Sequence, residues 1–360
     1  MRGLAGFFER SWSGEPGAVS WTRALLPLAA GYAAASGIAR GRAERRRQPL
    51  PGCHVIAIGN LTVGGTGKST LARWLALEAV SAGARAAVLL RGHGAAAPGS
   101  ERGVVPDFAG YPLAERAARY GDEALALRLA LPREAAVAVD PDRRRAAEVV
   151  RSGYGARVLI LDDGWEQGSL AWSELWVALD PRRPAGNGSA LPAGPLRRPV
   201  SSLREARRAV FLLEEPGETV PEPTLAWLAR VAPGVPILRL QRTLRDPLPR
   251  GARVAVVSGI GTPARLDRFL RGAGAEVLFH DAFPDHARWS ASSLRAPLAR
   301  ARRERADMIL ITEKDELRWP PGLGPDPPVR VLRTGVRPLD PVAEALRPMH
   351  EAVARPASIV

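Results

Sequence analysis

Two lysines stand among the 51 basic residues of this chain, Lys68 and Lys314, and the first sits in a glycine-rich loop. That loop, GNLTVGGTGKST from Gly59 to Thr70, follows the apolar run CHVIAIG and opens onto LARWLALEAV. Successive backbone N–H groups unobstructed by a Cβ can cradle phosphate oxygens at a helix N-terminus. Lys68 would then reach the β- and γ-phosphates, and the Ser69 hydroxyl would ligate Mg²⁺. The nucleotide-binding set is Gly64, Gly65, Thr66, Gly67, Lys68, Ser69 and Thr70. The match to G-x-x-x-x-G-K-[ST] is imperfect, because Thr62 stands at the first glycine position. With 36 glycines in 360 residues a glycine cluster alone means little. The strand before the loop and the helix after it are what the motif requires. A lysine retained where almost every other basic residue is arginine supports the same reading, since a compact ammonium is not replaceable by a guanidinium in a tight site.

A phosphate loop needs an acidic partner on a neighbouring strand. RVLILDDG, Arg157–Gly164, supplies four apolar residues ending in Asp162 and Asp163, at the strand edge where open α/β sheets bind ligands. Alone, such a pair is a turn or a helix cap; with the loop upstream, it reads as a metal site.

The elements that must position these groups follow from hydrophobic patterning. CHVIAIG, ARAAVLL, EAAVAVD, ARVLILDD and ELWVALD are short β-rich runs separated by helical stretches, which predicts a parallel sheet covered on both faces. A long Gly/Pro/Arg loop, Pro181–Pro199, interrupts the series. A second series runs through ARRAVFLL, VPILRLQ, ARVAVVSGIG, AEVLFHD, ADMILIT and VRVLRT. The expected organisation is a membrane-associating segment over 1–50, a phosphate-loop domain over 51–206, a second α/β domain over 207–335, and a C-terminal helix and tail over 336–360.

At 46% hydrophobic residues the chain can bury two cores. Its formal net charge of +14 raises anionic partners, though the arginine bias accounts for much of it without a designed patch. No base-reading module is recognisable, so no nucleic acid is expected. The single cysteine, Cys53, excludes a disulfide framework and reads as core. The apolar stretch Ala24–Ala39 carries Pro27 and is shorter than the roughly 20 residues that span a bilayer. With Arg23 before it, the basic run Arg40–Arg47 after it, and Phe7, Phe8, Trp12 and Trp21 as anchors, it is suited to lie on an anionic membrane surface.

Two resemblances compete for the loop. It resembles the deviant phosphate loop of partitioning-type ATPase switches, K-G-G-x-G-K-[ST], but Val63 replaces their leading lysine. A wider series occurs in one order: IGNLTVGGTGKST, LRGHG, GDEA, LDDGWEQ, GNGSALPAGPLRRP, SGIGTP, FPDH and TEKD. From about Ala57 to about Asp315 this resembles the tetraacyldisaccharide 4′-kinase family of lipid A biosynthesis, as a divergent member.

The resemblance implies two α/β/α sandwich domains, the first a P-loop NTPase-like parallel sheet, and an N-terminal helix on the membrane surface. It implies transfer of the ATP γ-phosphoryl group to the 4′-hydroxyl of tetraacyldisaccharide 1-phosphate, with Mg²⁺, at the cytoplasmic face of the inner membrane. By similarity to the family's G-D-E-P motif, Asp122 would accept the hydroxyl proton. His286 of FPDH would orient it from the second domain. Ser69, Glu123, Asp162 and Asp163 would form the metal shell. Arg91, Arg197 and Asn187 are the candidate substrate contacts, the two guanidiniums as forks for phosphate. Arg143–Arg145 offer either another grip or a solvated helix face. TEKD reads as a capping box at Thr312 and Asp315. Departures from the family pattern include Glu166 and Gln167 in DDGWEQ, and Arg198 where an acidic residue is usual, a charge reversal beside the expected site.

Overall fold

A computed structural model describes residues 12, 20–92, 103–105, 113–261, 263–284, 289–324 and 326–354. Thirteen strands are present among them: β1 His54–Gly59, β2 Ala86–Leu90, β3 Gly103–Val104, β4 Ala135–Val139, β5 Val158–Leu161, β6 Glu174–Leu179, β7 Arg208–Leu213, β8 Ile237–Leu244, β9 Arg253–Ser258, β10 Glu276–Ala282, β11 Met308–Thr312, β12 Val329–Leu332 and β13 Thr334–Pro338.

They form two sheets. The larger runs β13-β8-β7-β6-β1-β5-β2-β4-β3 and the smaller β10-β9-β11-β12. In the larger, β3 and β13 are antiparallel to their neighbours and the remaining pairings are parallel. The central strands are buried along their whole length, the continuous apolar signature of a sheet covered on both faces. One core layer packs Trp74 and Leu75 of helix Lys68–Ser81 against Ile58, Ile160 and Trp176; the other gathers Leu159, Leu161, Trp165, Val177 and Phe211 on the opposite face. The smaller sheet is wholly parallel, with its own two apolar layers. This is the expected α/β class, with two covered sheets.

The division of strands differs from the expected boundary at residue 207. β7 and β8, at the start of the second series, extend the first sheet, and β13 returns to pair antiparallel with β8 in the register Thr334↔Leu244. The second sheet comprises only β9 to β12. Periodicity identifies strands but carries no information on which sheet edge each joins.

Helix Leu26–Arg46 fuses the apolar stretch and the basic run into one element. No helix among the described residues is long and apolar enough to cross a membrane. The C-terminal helix Ala343–Ala354 returns Leu346 and Met349 to the first core. Cys53 is half-buried beside the second core layer, its thiol 3.6 Å from the Ala156 carbonyl.

Candidate active site

The chain ends of β1, β2 and β5 meet at one edge of the first sheet, carrying the glycine loop, Arg91 and the Asp162–Asp163 pair. Gly67 precedes helix Lys68–Ser81 with φ +86°, and a Cβ there would stand 2.6 Å from Leu212 Cδ2. Both the left-handed backbone and the close packing require glycine. The loop is laid against the long Gly/Pro/Arg segment: Val63 N–H donates to the Pro195 carbonyl at 2.8 Å, and Arg197 N–H to the Leu61 carbonyl at 2.8 Å. Inside the turn, the buried Asn60 amide donates to the Thr62 carbonyl at 2.6 Å and accepts from the Arg197 guanidinium. Asn60 was not singled out by sequence; its place directly after the strand was the available signal.

Ser69, Glu123 and Asp162 come together at the start of this helix. The Ser69 hydroxyl donates to Glu123 Oε1. Asp162 is 5% exposed, and its Oδ2 is buried without a hydrogen-bond partner. Burial, with the neighbouring Glu123 charge adding to it, pushes the Asp162 carboxyl up to about 7, against the pull of Ser69 and Lys68. Among the described residues there is no group of three His, Cys, Asp or Glu disposed to hold a metal. A magnesium ion needs no such cage: it takes one or two carboxylates and completes its octahedron with water and phosphate. An orphaned carboxylate oxygen beside a hydroxyl and a second carboxylate fits that donor set.

Asp163 departs from its expected place in that group. Its backbone is left-handed (φ 51°), and its carboxylate accepts both arms of Arg197, at 3.1 and 2.8 Å, with Lys68 Nζ at 3.7 Å. Two cations on one carboxylate make Asp163 the anchor of Lys68 and Arg197.

Asp122 opens helix Asp122–Ala130 behind Gly121, whose φ is +90°. Asp122 Oδ2 accepts from Arg318, with Nε at 2.9 Å and a second bond from Nη2. Arg318 follows the short helix Glu313–Glu316 of the smaller sheet and is 7% exposed at its side chain. A Cβ at Gly259 would lie 2.9 Å from Arg318 Nη1, so the glycine of SGIG clears its path. His286 lies outside the described residues.

TEKD forms the expected capping box: Thr312 Oγ1 accepts from Asp315 N–H and the Asp315 side chain reaches back. Glu313 also binds Arg73 of helix Lys68–Ser81, at 3.2 and 3.0 Å. Lys314 lines the cavity between the two sheets.

Among the substrate candidates, Arg91 and Arg197 line a large cavity of about 1350 Å³ together with the glycine loop. Asn187 does not line it. Its side chain donates to the Ala193 carbonyl at 2.9 Å and accepts from Ser189 N–H at 3.0 Å, shaping its own loop. Arg143 is 2% exposed, donates to the Asp140 carbonyl at 2.7 Å, and burial pulls its pKa down to about 10. Arg144 and Arg145 pair locally with Glu148 and Asp140, the solvated-face alternative. The charge reversal at Arg198 is neutralised: its guanidinium lies 4.4 Å from the Trp165 ring and meets Glu166 at 2.5 Å, so two of the departures from the family pattern pair with each other.

The far wall of the large cavity is the C-terminal half of helix Leu26–Arg46, through Ala39, Arg42, Ala43 and Arg46. Arg47 seats this end by donating to the Gln167 and Trp165 carbonyls and stacking 3.6 Å from the Trp172 ring. A second cavity, about 560 Å³, begins at Ser69 and Thr70 and runs between the sheets past Glu214, Arg242 and Arg265.

The sequence matches the model of the family described as Tetraacyldisaccharide-1-P 4'-kinase over residues 21–346. It is 37% identical over 339 residues to a protein of Anaeromyxobacter dehalogenans (strain 2CP-C) named Tetraacyldisaccharide 4'-kinase, covering 90% of this chain and 88% of the relative. A protein of the same name from Methylobacterium sp. (strain 4-46) is 36% identical over 337 residues, covering 92% and 91%. Among solved structures, the fold is similar to apo-form LpxK from Aquifex aeolicus in complex with ATP, with TM-score 0.67, 22% identity, and coverage of 93% of this chain and all of that one.

Proposed function

The chain belongs to the tetraacyldisaccharide-1-P 4'-kinase family, and on that premise we propose that it transfers the ATP γ-phosphoryl group to the 4′-hydroxyl of tetraacyldisaccharide 1-phosphate, at the cytoplasmic face of the inner membrane. One observation carries the reading. Lys68, Ser69, Glu123 and Asp162 face the same cavity as the basic helix that walls its far side.

In this reading the loop amides and Lys68 hold the β- and γ-phosphates, and the base extends into the cavity that begins at Thr70. Ser69, Asp162 and Glu123 hold Mg²⁺. A bound magnesium ion would neutralise charge on the phosphoryl oxygens. Arg197, held by Asp163 and Asn60, and Arg91 grip phosphate groups of donor or acceptor. Asp122 takes the proton of the sugar hydroxyl, whose own pKa lies far above neutrality. His286 is its proposed partner. Phosphoryl transfer otherwise needs alignment and charge neutralisation, which a cavity lined by basic side chains supplies.

Helix Leu26–Arg46 is the proposed bridge to the lipid. Leu28 and Ile38 are 62% and 59% exposed, whereas Arg42 and Arg46 face the cavity. The apolar part is suited to the acyl–headgroup boundary, and the basic part to an anionic sugar phosphate.

The direct test follows label from γ-labelled ATP into tetraacyldisaccharide 1-phosphate in detergent micelles. Wild type should label the lipid, and Lys68→Ala should lose most of the transfer. Hydrolysis of ATP with the lipid left unlabelled would refute the acceptor.

A further inference from the structure

Arg265 lies in helix Pro263–Gly272, which packs on the smaller sheet, yet its guanidinium reaches the phosphate loop of the larger one. Nη1 donates to the Gly65 carbonyl at 2.5 Å, Nη2 to the Leu212 carbonyl at 3.4 Å, and Nε meets Glu214 Oε1 at 2.6 Å. Glu214 is 5% exposed and is held from its other side by Arg242 at 2.6 Å. The helix is fixed two residues further on, where Asp267 binds His280 Nδ1 at 2.6 Å while His280 Nε2 meets Ser258 Oγ at 2.7 Å. Apart from the loop, the guanidinium is thus held by Leu212 and Glu214, on a helix anchored through Asp267.

We propose that Arg265 is a positioning residue for the nucleotide's β-phosphate, acting through the Gly65–Thr66 peptide. This deepens the kinase reading and rests on it. A trans peptide holds its C=O and the following N–H in one plane, pointing in opposite directions. A donor that holds the Gly65 carbonyl therefore sets the direction of the Thr66 N–H, one of the loop amides that the kinase reading assigns to phosphate. The loop needs such a brace. Gly64 has φ +114°, no atom lies within 4 Å of where its Cβ would be, and Gly64 and Gly65 are exposed. Glycine peptides without side-chain packing turn over readily, and a loop whose amides are not aimed in advance must be ordered by the ligand at a cost in affinity. Because the brace comes from the smaller sheet, the phosphate site is complete only when both sheets are in contact.

The test is equilibrium binding of Mg²⁺–ADP and of AMP to full-length wild type and to Arg265→Ala. AMP has no β-phosphate and reports on the base cavity and on folding of the variant. The expected result is a weakening of ADP binding by about tenfold or more, with a clearly smaller loss for AMP, whose base shares the cavity that Arg265 lines. Arg265→Lys, which retains a cationic donor, should regain part of the lost ADP affinity. Unchanged ADP binding in Arg265→Ala, or equal weakening of ADP and AMP, would overturn the assignment while leaving the kinase reading intact. Wild type that bound neither nucleotide would overturn the kinase reading first, and this inference with it.

Discussion

Arg318 places two N–H donors on a single oxygen of Asp122, joining a helix of the first sheet to a side chain carried by the second. The proposed proton acceptor is therefore located from outside its own sheet. Asp122→Asn removes the acceptor while keeping the shape and should reduce label transfer by roughly 10²–10⁴-fold, with ADP affinity nearly unchanged. Arg318→Met leaves a poorly exposed carboxylate without its guanidinium and should destabilise the fold by about 3 kcal/mol, read from urea unfolding. Equal stability of wild type and Arg318→Met would mean that the pair contributes nothing net.

Asp163 and Arg197 can be separated from the metal set by nucleotide binding. Asp163→Asn releases both Lys68 and Arg197 from one anchor, and Arg197→Lys cannot reproduce a fork that spans Asp163 and Asn60. Each should raise the ATP KM several-fold, about 1 kcal/mol. In isothermal titrations their Mg²⁺–ADP affinity should fall, whereas Asn187→Ala, confined to its own loop, should leave it unchanged.

The raised pKa of Asp162 gives stability a definite slope with pH. Its usual value is 3.8 and its folded value about 7. Between these the unfolded chain has lost the proton and the folded chain keeps it, so the group's contribution is fully present below about pH 4 and is lost as pH rises to about 7. The span corresponds to on the order of 4 kcal/mol for this one group. In chelator, Asp162→Asn should flatten that slope and melt higher than wild type at pH 8. A variant with the wild-type pH profile would remove Asp162 as its source.

Exposed Leu28 and Ile38 should govern contact with a lipid surface. Replacing both by serine should reduce cosedimentation with vesicles containing anionic phospholipid by tenfold or more, since each side chain contributes up to about 2 kcal/mol when fully buried. Label transfer to a short-chain, micelle-free acceptor should persist. Vesicle binding that survives the double substitution would place the membrane contact elsewhere in the chain.

How much of this was legible beforehand depends on whether a residue acts within its own motif. The glycine loop, the acidic strand end and the TEKD capping box are local, and residue type together with the flanking strand and helix patterns located them. The ion pairs of Asp163 with Arg197 and Lys68 are not legible in the letters DD, and neither is its left-handed backbone. Asn187 is engaged by the turn it belongs to. Arg73, Arg265 and Arg318 escaped notice because each partner lies across the cavity between sheets, at a sequence distance that no periodicity encodes. In a chain so rich in arginine, residue type marks none of them out. The sheet boundary failed for a related reason, since edge order is decided by tertiary pairing.

That pairing has a mechanical outcome. The polypeptide leaves the large sheet at Leu244 and re-enters it at Thr334, and these two residues face each other across the β8–β13 ladder. The whole of β9 to β12 is thus an insertion into what would otherwise be a hairpin, suspended from one spot by two side-by-side cords. Arg265, Glu313 and Arg318 all belong to that insertion, so their holds on Gly65, Arg73 and Asp122 share one point of suspension, and donor-site alignment and proton-acceptor alignment are set by a single angle.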